Sequence, residues 1–149
     1  MALPSSLTLE IVTPERAIAH EQVDEVQLPG AKGYFGVLPG HTPMLAQLSV
    51  GQLWYRRGQE KTFLSVHTGL AEVLPDRVIV LSRGAERAEE IDVARAEAAA
   101  QRAQAALKQP ATTIDEMERA RVALMRAMVR LQVANMTRVQ VARKSRPDA

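Results

Sequence analysis

The chain has no cysteine, which excludes disulfide frameworks, thiolate zinc sites, iron–sulfur clusters and cysteine nucleophiles together. Aromatic residues are scarce: Tyr34, Phe35, Trp54, Tyr55 and Phe63 are all there are. Little is therefore available for base-stacking platforms of the single-strand-binding kind, and the core must be aliphatic. No stretch approaches the roughly 18 uninterrupted apolar residues of a membrane span, and residues 1–6 lack the basic and apolar runs of a signal peptide. A soluble or membrane-peripheral protein is expected. An excess of one charge is also missing, since 19 Lys and Arg face 17 Asp and Glu for a net charge of +2, and overall charge announces neither a nucleic-acid nor a membrane-surface partner.

Catalytic constellations are absent too. His20, His41 and His67 are scattered, and neither a nucleophile elbow nor a metal-binding His-Glu spacing occurs. No catalytic residue and no metal site is assigned. Gly30, Gly33, Gly36 and Gly40 have the wrong spacing for a dinucleotide fingerprint or a phosphate loop, and no helix pattern opens after them. They read as turn glycines, and His41, between Pro39-Gly40 and Thr42-Pro43, reads as a turn residue bonded to its own loop.

What is present divides the chain in two. Residues 7–82 have strand texture: Leu7, Leu9 and Ile11 alternate with Thr8 and Glu10, and Val78 and Val80 alternate with Ile79 and Leu81. Glycine and proline cut this stretch into short pieces, and Gly84 is the last glycine. Many short strands with such turns predict a β-sandwich or flattened barrel over residues 1–87. Residues 88–149 predict an antiparallel two-helix hairpin. Residues 89–108 contain eight alanines and neither glycine nor proline, with Glu89, Glu90 and Asp92 expected in the first turn, where the helix dipole favours acids. Pro110 breaks the helix. Thr113 and Glu116 then have the spacing of a capping box, opening a second helix to about residue 143.

At 100° per residue, Met117, Leu124, Met128, Leu131 and Asn135 share one face of that second helix, widened by Met125, Val129 and Met136. That face is expected to pack. Arg119, Arg126 and Arg130 form a ridge opposite it, and no acid occurs between Arg119 and Arg146. A solvated helix face usually mixes charge signs, so the ridge points to an anionic partner. Without aromatic interleaving, an acidic protein surface or nucleotide phosphate suits it better than nucleic acid.

Three runs carry a family resemblance: residues 28–44 (LPGAKGYFGVLPGHTPM) followed by Gly51; residues 69–75 (GLAEVLP) followed by 78–81 (VIVL); and residues 88–96 (AEEIDVARA). In this order they resemble the epsilon subunit of F-type ATP synthases, across the whole chain; the chain departs from the family at Lys32 and Tyr34, where acidic residues are common. The resemblance implies a non-catalytic rotor subunit in the central stalk. Its sandwich would bind the gamma subunit and the ring of c subunits, the latter through Gly33, Tyr34, Phe35, Gly36 and His41. Its hairpin would inhibit ATP hydrolysis by reaching acidic segments of the beta (and alpha) subunits through Arg119, Arg126 and Arg130. The implied location is peripheral, on the cytoplasmic face of a bacterial inner membrane. No cofactor is required. ATP is implied as a regulatory ligand by Ile91, Asp92, Arg95 and Ala96, which match the family's Ile/Leu-Asp-x-x-Arg-Ala motif, with Arg102 and Arg126 as further contacts.

Overall fold

A computed structural model describes residues 2–110 and 113–146. It divides into two compact units that meet in sequence between Arg87 and Ala88.

The first unit is the expected β-sandwich. Its strands are β1 (Leu7–Val12), β2 (Ala17–Val23), β3 (Glu25–Gly30), β4 (Gly33–Val37), β5 (Met44–Leu48), β6 (Gly51–Arg57), β7 (Glu60–Val66), β8 (Gly69–Leu74), β9 (Arg77–Ser82) and β10 (Ala85–Arg87). Their pairing runs β10-β7-β6-β3-β5-β8-β9-β1-β2, with β4 a branch on β3. All ladders are antiparallel except β1 with β9, which is parallel. The cause is the period-two pattern, which turns alternate side chains inward. Leu7, Leu9 and Ile11 of β1, Val78 and Val80 of β9, Val26 and Leu28 of β3 and Leu53 of β6 are completely buried.

Two glycines show why the turns need them. Gly40 has φ +87° and donates its N–H to the Pro75 carbonyl at 2.7 Å, tying the β4–β5 connection to the β8–β9 turn in a conformation L residues avoid. Gly69, opposite Ser82, lies so close to the Leu81 carbonyl that a Cβ has no room.

The second unit is the expected hairpin, with one boundary moved. Residues Ala88–Glu90 form a short 3-10 turn, and the first helix, α1, runs Val93–Leu107. Asp92 is its N-cap, its carboxylate accepting from Arg95 N–H at 3.1 Å. Glu89 and Glu90 therefore precede the helix instead of occupying its first turn, because Asp92 satisfies the free N–H groups better from one position before it. The second helix, α2, runs Ile114–Lys144. Thr113 Oγ1 accepts from Glu116 N–H at 3.2 Å, and the Glu116 carboxylate accepts from Thr113 N–H at 3.1 Å, so the capping box is complete.

The packing face of α2 differs from the one the periodicity indicates. Met117, Met125, Met128 and Met136 are 39–57% exposed, and Asn135 is exposed as well. Leu124, Val129 and Leu131 are half-buried. The buried positions are Ala127, Val133 and Ala134 on α2 and Ala96 and Ala103 on α1. Small side chains let two helix backbones approach closely, whereas a methionine at the contact would hold them apart.

Candidate functional site

The hairpin contains a groove of about 410 Å³. Its floor is alanine, Ala99, Ala103 and Ala106 from α1 and Ala120 and Ala123 from α2, and Arg102 and Arg119 stand beside it with Glu116. Both arginines are exposed. The capping box sets this geometry, since it starts α2 at Ile114 and so places Glu116 and Arg119 in its first two turns, facing the last turns of α1. Chemically, two guanidinium forks beside a shallow apolar floor can hold phosphate or carboxylate oxygens, each as a bidentate donor.

The structure distributes the other sequence-predicted residues as follows. Ile91 and Ala96 are buried, and Arg95 is exposed. Asp92 is exposed, with one carboxylate oxygen engaged in the helix cap. Arg95 lies two turns from Arg102 along α1, a rise of about 10 Å. Arg102 and Arg119 both line the groove, and Arg126 does not. Arg119 and Arg126 are exposed and Arg130 is half-buried. Arg119 as a groove residue was not visible in the sequence, because the angular position of one helix does not fix which residues its neighbour meets. The nearest signal was the alanine spacing on α1, which marks the side a second helix can approach.

The run expected to face the ring is not one loop. Residues 33–36 belong to β4, which forms a two-residue hairpin with β3 through Ala31 and Lys32. His41 follows the far end of that strand, about 13 Å from Gly33 along the strand direction. Tyr34 is 56% exposed, and its hydroxyl accepts from Gln52 N–H at 3.2 Å. Phe35, turned the other way, packs against the core. His41 is a turn residue, its N–H donated to the Leu38 carbonyl at 3.1 Å and its Nδ1 2.7 Å from the Thr42 carbonyl oxygen.

A further surface went unread in the sequence. Leu70, Leu81 and Val12 are direct cross-strand neighbours on β8, β9 and β1, and they are 45%, 53% and 36% exposed. Leu45 of β5, 69% exposed, lies diagonally from Leu70. These residues make an apolar row on the outside of a sheet, where alternation normally places polar side chains. Among the described residues no cluster of His, Asp or Glu has the makings of a metal site, and no helix is long and apolar enough to cross a membrane.

A ten-stranded sandwich followed by a capped helical hairpin, each a compact unit, defines a class by its architecture. Comparison with known proteins narrows that class. Residues 6–88 match the family described as ATP synthase, Delta/Epsilon chain, beta-sandwich domain, and residues 89–135 match its long alpha-helix domain. The chain is 52% identical to an ATP synthase epsilon chain of Solibacter usitatus over 133 residues, 89% of this chain and 98% of that one. It is 50% identical to that of Syntrophobacter fumaroxidans over 137 residues, 91% of this chain and the whole of the relative. Among solved structures, a chain of the Euglena gracilis mitochondrial ATP synthase, OSCP/F1/c-ring, superposes with a TM-score of 0.79 at 25% identity, over 90% of this chain and 84% of that chain. A chain of the Tetrahymena thermophila mitochondrial ATP synthase central stalk/c-ring shares the fold, with a TM-score of 0.59 at 12% identity, over 86% of this chain and 96% of that one. The chain belongs to the ATP synthase epsilon chain family, whose members are non-catalytic subunits of the F-type complex.

Proposed function

We propose that the chain is a rotor subunit of the central stalk, peripheral to the cytoplasmic face of a bacterial inner membrane, and that its two units have separate tasks. The sandwich joins the gamma subunit to the ring of c subunits, so that ring rotation reaches the catalytic head. The apolar row of Val12, Leu81 and Leu70 suits a permanent contact with gamma. Tyr34 at the β3–β4 hairpin and His41 at the opposite end of β4 are the residues offered to neighbouring subunits there, with Gly33, Phe35 and Gly36 shaping the strand. The hairpin restrains ATP hydrolysis by docking its basic ridge on acidic segments of the beta (and alpha) subunits.

The observation that carries the inhibitory reading is the one-sided charge of α2: no acid occurs from Arg119 to Arg146, and Arg119 and Arg126 are exposed. Charge-assisted hydrogen bonds to carboxylates are the strong kind. Replacing Arg119, Arg126 and Arg130 together with Ala raises ATP hydrolysis of the reconstituted catalytic head several-fold. Unchanged hydrolysis with the variant incorporated at full stoichiometry assigns the ridge to solvent.

The groove favours a second, compatible reading in which ATP is a regulatory ligand of the hairpin. Arg102 and Arg119 flank it, Arg95 lies further along α1, and Asp92 keeps one carboxylate oxygen outside the cap for an exocyclic amine. Ile91 and Ala96 shape the start of α1, and Arg126 is a more distant contact. A ligand that prefers this closed hairpin over an open one shifts the population by that preference alone. Titration calorimetry of the whole chain with ATP tests this, and Arg102→Ala weakens binding at least tenfold, consistent with about 1.5–3 kcal/mol for a charged hydrogen bond. No heat at millimolar ATP removes the ligand and leaves the rotor role in place.

A further inference from the structure

The pairing order of the sandwich leaves two ends, β10 and β2, that form no ladder with each other. Open sheet edges need some device to close or cover them, and here Arg87 reaches across the seam. Arg87, the last residue of β10, donates through Nη2 to the Ile18 carbonyl of β2 at 3.0 Å and through Nη1 to the Tyr55 hydroxyl of β6 at 3.1 Å. The same Nη2 lies 3.6 Å from the carboxylate of Glu21, also on β2, which is 3.9 Å from Arg57 on its other oxygen. Arg87 and Glu21 are only 21% and 29% exposed, so these contacts are less screened than those of a surface pair.

The strand that Arg87 ends is slight. β10 has three residues, pairs with β7 alone, and is half-buried throughout. Its Ala85 rests on the core. The sandwich ends at Arg87 and the helical unit begins at the next residue. Any force that the hairpin transmits along the chain therefore reaches Arg87 before any other residue of the sheet.

We infer that Arg87 is a clasp that closes the seam between β10 and β2 and thereby sets where the sandwich ends. With the clasp shut, the sandwich runs to Arg87 and the helical unit follows at once. With it open, β10 can peel from β7 and release three residues, about 10 Å of extended chain. The guanidinium fork suits the task, since it serves a carbonyl, a phenol and a carboxylate at once in fixed geometry, which a lysine ammonium does not.

Because the chain has no cysteine of its own, introduced thiols report on it cleanly. Ala85→Cys places one on the strand that would peel, and Ala71→Cys places one in the centre of the core on β8, where the parent residue is fully buried. In the full-length protein, adding Arg87→Ala raises the labelling rate at position 85 at least tenfold and leaves the rate at position 71 unchanged. Arg87→Lys gives an intermediate rate. An unchanged rate at 85, or equal increases at 85 and 71, overturns the inference, the latter because Arg87 would then support only global stability. If Arg87→Ala does not fold, Tyr55→Phe combined with Glu21→Gln removes two of the partners while keeping the arginine, and the same two labelling sites decide the matter.

Discussion

The sandwich and the hairpin are held together by different means. The sandwich core is built from Leu7, Leu9, Ile11, Leu28, Leu48, Leu53 and Leu64, all buried to within 1%, and each such side chain contributes about 1.5–3 kcal/mol. Most buried positions of the hairpin are alanines, each offering about one methyl group, roughly 0.8 kcal/mol. The hairpin relies instead on alanine's helix propensity, on the Asp92 and Thr113 caps and on contacts between neighbours in sequence. The sandwich thus carries the larger hydrophobic stabilisation, and the hairpin belongs to the low-stability end of the molecule.

That contrast can be broken at three places. Leu53→Ala in the sandwich lowers its unfolding free energy by about 2–5 kcal/mol. Chemical denaturation followed by the fluorescence of Trp54 measures it, because the only tryptophan lies in β6; a loss below 1 kcal/mol contradicts the sandwich as the stable unit. Ala103→Leu puts three extra heavy atoms at a buried alanine position in the hairpin and destabilises it by about 1–3 kcal/mol. Its signature is a helical circular dichroism transition at lower denaturant while the Trp54 transition stays put; coincident shifts show that the two units unfold as one. Thr113→Ala removes the capping box and costs about 1 kcal/mol, seen as faster amide exchange in the first turn of α2 with the rest of the helix unaffected.

Much of this was legible in residues alone. Strand alternation, the abrupt end of glycine after Gly84 and the Thr113–Glu116 pair together determine the order of elements. Three things were not legible, each for a physical reason. The methionine face of α2 reads as core by hydropathy, but side-chain volume at the helix contact selected alanine. Leu70, Leu81 and Val12 look like ordinary strand residues until cross-strand register lines them up. Arg87 gives no local signal, since its partners Ile18 and Tyr55 lie 69 and 32 positions away.

The parallel ladder between β1 and β9 has a consequence for synthesis. Thr8 lies opposite Arg77 and Val12 opposite Leu81, so β1 waits for a partner made almost seventy residues later. At 5–20 residues per second that delay is roughly 4–14 s. During it, β1 has only β2 beside it, and its other edge, with the apolar side chains of Leu7, Leu9 and Ile11, stays open to mispairing with other chains. Helical hairpins, whose contacts are local, form in microseconds to milliseconds once the chain is available. The hairpin, made after the sheet, is thus ready almost at once, whereas β1, made before β9, is among the last strands to be sealed.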